Sequence, residues 1–223
     1  MQQEKSANPY DVSGHYHPSP LETLNGPLPQ LQVADIVLVR HKKGLLRYFL
    51  RKITDSYWDH SALIIFARHP AKGYNSNILA EAVQHGSFDD VRRGVEIHKL
   101  EEYLNNPDQY DVAVKRFQGA DEEMRDRVRA FMLMNVDAPY YRLPLADFFV
   151  AWMFKSVARQ ILKRQRFSCS GLVQKSFYNA AEWSRREEFS FREFGDSPIE
   201  LQELVSPADI ARSDKCVWVW NKR

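Results

Sequence analysis

Cysteine is scarce in this chain: Cys169 and Cys216 are the only two among 223 residues. So few thiols exclude a disulfide scaffold and a Cys-rich metal site, and they suit a reducing compartment. Long apolar runs are missing as well. No window approaches about 18 continuous apolar residues, so no membrane-spanning helix is read. Met1 to Ser19 has neither the basic start nor the apolar centre of a secretory signal, and the expectation is a soluble, cytoplasmic protein. Nor does one sign of charge dominate: 31 basic against 29 acidic residues leave +2, which gives nucleic acid no bulk attraction. A Gly-rich phosphate loop, an HExxH pair and paired metal-ligand spacing are all absent from the sequence, so neither cofactor nor metal is expected.

What is present is an ordinary globular composition, 44% hydrophobic, with 13% aromatic residues to fill a core. Residues 1–30 carry Pro9, Pro18, Pro20, Pro27 and Pro29 among small polar residues and read as a flexible tail. Residues 31–223 are left as one domain. Within it Val33 to Val39, His60 to Ala67, Asn77 to Val83, Val112 to Arg116 and Cys216 to Trp220 read as strands. The second and third of these are apolar on both faces, which places them centrally in a sheet covered on both sides. Helical spacing marks Gly44 to Thr54, Lys99 to Asn105, Ala120 to Val136, Leu145 to Arg164 and Ser170 to Arg186. Strands followed by helices predict an α+β fold rather than a doubly wound one.

Three residues in this pattern can carry chemistry. Cys169 lies in Phe167-Ser168-Cys169-Ser170-Gly171 just ahead of an amphipathic helix. The positive end of a helix dipole stabilises a thiolate there, and its unpaired N–H groups can receive an oxyanion. His60 stands at the mouth of an apolar strand, Asp59-His60-Ser61-Ala62-Leu63, and of the 7 histidines it is the one held by a stiff element. His85, just past the next strand, is second. Glu81 interrupts Ile78-Leu79-Ala80-Glu81-Ala82-Val83, where an unpaired charge would be costly. If the two strands are neighbours, Glu81 can orient the His60 imidazole. The structural alternatives are a small core residue for Cys169, a histidine satisfied by a backbone carbonyl for His60, and an edge carboxylate reaching water for Glu81.

These residues carry a resemblance. Cys169-Ser170-Gly171-Leu172-Val173 with Phe177-Tyr178, and Pro139-Tyr140-Tyr141 upstream, resembles the nucleophile segment of NlpC/P60 cysteine peptidases. There Cys precedes His; here His60 and Glu81 precede Cys169, which resembles the circularly permuted YiiX/YebB-like branch and, more distantly, lecithin retinol acyltransferase-like enzymes. Asp35-Ile36-Val37, Asp59-His60-Ser61-Ala62, Ala80-Glu81-Ala82-Val83 and Ser206-Pro207-Ala208-Asp209 are similar to further marks of that branch. The resemblance spans about residues 33 to 220. It implies a papain-like domain with a central antiparallel sheet packed by helices. Cys169 would be the nucleophile, His60 the base and then the acid, and Glu81 the orienting group. Tyr140 would shape the oxyanion site, with Tyr141 its rival for that match. Ser168 stands where many relatives have Asp.

The activity so implied is hydrolysis of an amide in a small peptide, cell-wall fragment or amide-linked metabolite. Acyl transfer to or from lipids through the same thioester is the alternative enzyme, and a non-catalytic module on the same fold is the third reading. The stretch from Leu145 to Arg164 is longer than the family leads one to expect. It is apolar at Phe148 to Phe154 and basic at Lys155, Arg159, Lys163 and Arg164. That composition suits a helical insertion covering the site, or peripheral contact with an anionic membrane; a core helix is the simpler alternative. The sequence gives no oligomeric state.

Overall fold

The computed structural model describes residues 26–44, 47, 48, 51, 56–85, 92–138, 169–191 and 205–222. Six strands form its centre: β1 (Ile36–His41), β2 (His60–Phe66), β3 (Ile78–His85), β4 (Arg92–Lys99), β5 (Tyr110–Phe117) and β6 (Cys216–Lys222). They make one sheet in the order β4-β3-β2-β1-β5-β6, with every neighbouring pair antiparallel. The helices are α1 (Leu100–Leu104), α2 (Glu122–Met134), α3 (Cys169–Ala180) and α4 (Pro207–Arg212). This is an α+β domain.

Alternation along the strands divides the apolar side chains between two faces. Ile36, Leu38, Leu63, Ile65, Ala80 and Ala113 join Met124, Val128 and Met132 of α2 and Leu172, Val173 and Phe177 of α3 in the larger core. Val37, Val39, Ala62, Ile64, Leu79 and Val112 point the other way, onto Leu31, Leu100 and Trp220. β1 and β2 are central strands and, Phe66 at the end of β2 apart, their apolar side chains are buried on both faces, as unbroken β-branched runs require. Asp121 caps α2, its side chain accepting from the Met124 N–H at 2.7 Å.

Several boundaries differ from those read in the sequence. β1 starts at Ile36 because Ala34 takes a positive φ of 67° in the preceding turn. β4 was not foreseen, since Arg92, Arg93, Glu96, His98 and Lys99 give it the polar composition of an edge. α3 ends at Ala180, and Trp183–Phe189 is a separate 3₁₀ segment. The chain is tied to the sheet before residue 31: Trp220 Nε1 donates to the Gly26 carbonyl at 2.9 Å, and Gln30 Nε2 to that of Arg68 at 2.8 Å. The 145–164 stretch lies outside the described residues. Among those described, no helix is long and apolar enough to cross a membrane.

Lys115 is wholly buried on the larger-core face, an expensive place for a cation. Its Nζ donates to the carbonyls of Ile210 (2.9 Å), Ala211 (2.8 Å) and Ser213 (2.8 Å), and it lies 4.7 Å from the Trp218 ring centroid. β5 thereby caps the C-terminal end of α4. Burial lowers the ammonium pKa to about 8, with the charges of Cys216 and Asp214 opposing. Lys115→Met should leave those carbonyls without their donor and cost about 2–4 kcal/mol of stability in a urea titration. A loss within about 0.5 kcal/mol, the size of an ordinary surface substitution, would show that α4 does not depend on this contact.

Candidate active site

The β2–β3 ladder places the two polar residues. Leu63 pairs with Ala80, so His60, three residues before Leu63, and Glu81, one residue after Ala80, point to the same face as diagonal neighbours. That spacing is bridged by long side chains. His60 Nε2 donates to Glu81 Oε2, and both residues are buried, at 4% and 2% exposure. β3 lies inside the sheet, between β4 and β2. Glu81 is therefore no edge carboxylate reaching water.

Cys169 opens α3, half-buried, on the opposite side of the sheet. It meets His60 because His60 is the first residue of β2, where the strand end lets ring and thiol approach one another. Nε2 is taken by Glu81, which leaves Nδ1 for the thiol. The sulfur is hydrogen-bonded to the His60 ring and to the Ser61 backbone N–H, and lies 3.8 Å from Ser170 Oγ. Ser61 Oγ in turn donates to Ser170 Oγ at 3.2 Å, fixing the first turn of α3 against β2.

The charges follow from this arrangement. Burial alone would lower the His60 pKa; the negative charges of Cys169 and Glu81, with the hydrogen bonds the ring donates to both, outweigh it and raise the pKa to about 10. Burial alone would raise that of Cys169, but the charge and hydrogen bond of His60, then the Ser61 N–H and Ser170, bring it down to about 7. Burial would also push the Glu81 carboxyl up, and it is held down by the His60 charge and by hydrogen bonds from His60 and Tyr103. The pair thus holds a thiolate and an imidazolium between about pH 7 and 10. Cys216 contrasts with it. Buried in β6, its thiol is pushed up to about 12 against the pull of Lys115 and Lys215.

Two parts of the site escaped sequence reasoning. The Tyr103 hydroxyl, from α1, donates to Glu81 Oε1 at 3.0 Å and Oε2 at 2.8 Å. Asp59, immediately before His60, is a buried anchor. It accepts from the His41 backbone N–H at 3.1 Å, from His41 Nδ1 at 2.5 Å and from Arg51. The His41 ring stands edge-on to His60, with centroids 6.2 Å apart. Asp59 was visible as the residue preceding His60; for Tyr103 only its aromatic ring, read as packing, gave a signal. Tyr140 and Tyr141 lie outside the described residues. His85 ends β3.

Fold and site together describe an α+β domain with a half-buried Cys at a helix start facing a buried His and Glu on adjacent strands. The fold is similar to a solved structure described as the metalloprotein yiiX from Escherichia coli O157:H7, DUF1105. The TM-score is 0.54 at 16% identity, over 87% of this chain and 99% of that one. At that identity the likeness is one of fold. No protein-family model matches the chain, and no curated protein matches it.

The two thiols give an internal control. Iodoacetamide at about pH 6, where an ordinary thiol near pKa 8.5 is almost wholly protonated, should alkylate Cys169 well before Cys216 in a peptide map. His60→Ala should slow that reaction. Equal labelling of both thiols, or a rate indifferent to His60, would contradict the ion pair.

Proposed function

We propose that the chain is a cysteine hydrolase of the circularly permuted NlpC/P60 type with a papain-like arrangement. It would cleave an amide bond in a small peptide, cell-wall fragment or amide-linked metabolite. One observation carries this reading: a half-buried thiol at the first turn of α3 hydrogen-bonded to a histidine whose other nitrogen is held by a buried carboxylate. The order of the three along the chain and the likeness of fold agree with it.

In the proposed reaction the Cys169 thiolate attacks the amide carbonyl, forming the C–S bond. The charge that develops on oxygen is met by backbone N–H groups at the positive end of α3. The His60 imidazolium gives its proton to the leaving nitrogen as the C–N bond breaks, leaving a thioester and a neutral imidazole. A water then loses its proton to His60 and attacks the thioester, and the carboxylic acid departs with the thiolate restored. Through both halves Glu81 stays ionised against Nε2. It fixes the tautomer and stabilises each imidazolium. The resemblance assigns the remaining oxyanion contact to Tyr140 or Tyr141.

The fold neighbour is described as a metalloprotein. Here, among the described residues, no group of three or more His, Cys, Asp or Glu side chains is disposed to hold a metal ion. The donors at the site are already engaged with one another, Nε2 of His60 with Glu81 and both Glu81 oxygens with Tyr103. These residues do not fit a metal, and no step is routed through one.

A panel of peptide, N-acyl amide and thioester substrates, read by mass spectrometry, should yield an acyl adduct on Cys169 and a hydrolysed product. Cys169→Ala should abolish both. Glu81→Gln should fold yet lower kcat by about 10²-fold or more, because an amide cannot stabilise the imidazolium; full activity in that variant would remove Glu81 from the reaction. For the native chain kcat/KM should be bell-shaped, rising near pH 7 as Cys169 ionises and falling near pH 10 as His60 loses its proton. A rise only near about pH 8.5, the ordinary thiol value, would contradict activation of Cys169 by His60.

A further inference from the structure

Glu81 is buried away from water, and a buried carboxylate stays ionised only if donors replace its hydration. Oε2 is shared by His60 and Tyr103, whereas Oε1 has Tyr103 as its donor. We propose that Tyr103 is the positioning residue of this site: its hydroxyl holds Glu81 ionised and turned toward His60, and through that pair keeps Cys169 a thiolate. The inference rests on the hydrolase reading above, in which Tyr103 touches neither substrate nor thiol.

The surroundings fix the hydroxyl in place. α1 is a single turn, too short to hold itself, and is pinned to the sheet by its Leu100 N–H donating to the Asn77 carbonyl at 2.9 Å and by the buried Leu100 side chain. The Tyr103 ring stands edge-on to Tyr110 at 5.0 Å, and Tyr110 edge-on to His41 at 5.2 Å, so the rings continue from behind the carboxylate toward His60. A cleft of about 110 Å³ opens beside Glu81, lined also by Val83, His98 and Glu102.

No other described group does the same work. From β4, Glu96 pairs directly with Glu81 in the ladder and adds like charge, while His98 adds an opposing one. His98 is itself bonded to Glu96 at 3.1 Å and to Glu102 of α1 at 3.3 Å. Arg47 acts on Tyr103 and His41 through charge alone, and His41 is committed to Asp59. Tyr110 of β5 faces Tyr103 through its ring. Without the Tyr103 hydroxyl, Glu81 takes up a proton at mildly acid pH. Neutral Glu81 no longer holds the imidazolium, and the thiolate forms only at higher pH.

The test is the pH profile of Cys169 alkylation by iodoacetamide, followed by peptide mapping, which needs no substrate. In the native protein the rate should rise with a midpoint near pH 7. In Tyr103→Phe that midpoint should move up by about one pH unit, the scale of one lost hydrogen bond to a carboxylate. In a Glu81→Gln background the same change should move it no further, since nothing remains there to titrate. 3-Fluorotyrosine placed at position 103 alone keeps the packing and makes a stronger donor, so it should move the midpoint down; it decides the matter if the Phe variant does not fold. A native midpoint near 7 that neither substitution shifts would overturn the role of Tyr103 and leave the hydrolase reading standing. A native midpoint at the ordinary thiol value of about 8.5 would instead overturn the ion pair on which both rest.

Discussion

The site depends on a carboxylate placed where a carboxylate is least comfortable. Glu81 occupies the middle of an inner strand and is buried there, and its ionisation has to be maintained by contacts rather than by solvent. The His60 imidazolium supplies one contact and the Tyr103 hydroxyl the other. His60 is equally dependent, because burial would strip its proton if Glu81 and the Cys169 thiolate did not hold it. The three groups are mutually conditional: removing one changes the protonation of the others. Asp59 repeats the device on a smaller scale one residue away, where a buried anion is held by His41 and Arg51 and seats the start of β2.

Much of this was legible in the residues themselves. The β-branched runs that become β1, β2 and β5 declare their period, and a lone Glu in an apolar run and a Cys ahead of an amphipathic helix are both exceptions to ordinary packing. β4 was illegible for a physical reason. Glu96 and His98 are paired to one another and Ile97 is exposed, so neither alternation nor hydrophobicity marks it. α4 has 6 residues, too few for a helical period; its signal was the capping box of Ser206 and Asp209, with Pro207 at the first position. Tyr103 was hidden by the ambiguity of aromatic residues, whose ring packs while the hydroxyl bonds.

Distance along the chain explains why no single local motif holds the whole site. His60 and Glu81 are 21 residues apart, and Ser61 and Ser170, which join β2 to α3, are separated by 109. The first turn of α3 is set against a surface made by strands of the first half. Lys115 has a comparable part at the far end of the chain, where it fastens α4 to β5 through the carbonyls of Ile210, Ala211 and Ser213.

One consequence lies in two consecutive residues of β2. His60 points to one face of the sheet, toward Glu81, while Ser61 points to the other and holds Ser170 at the start of α3. A one-residue slip in the pairing of β2 exchanges those faces. The base would then turn into the apolar core beneath α3, and the hydroxyl that docks the helix would face Glu81. Such a misassembled chain is not a weakened version of the native one, because base and docking contact are lost in the same step. Thiol reactivity at Cys169 therefore reports on strand register as well as on chemistry.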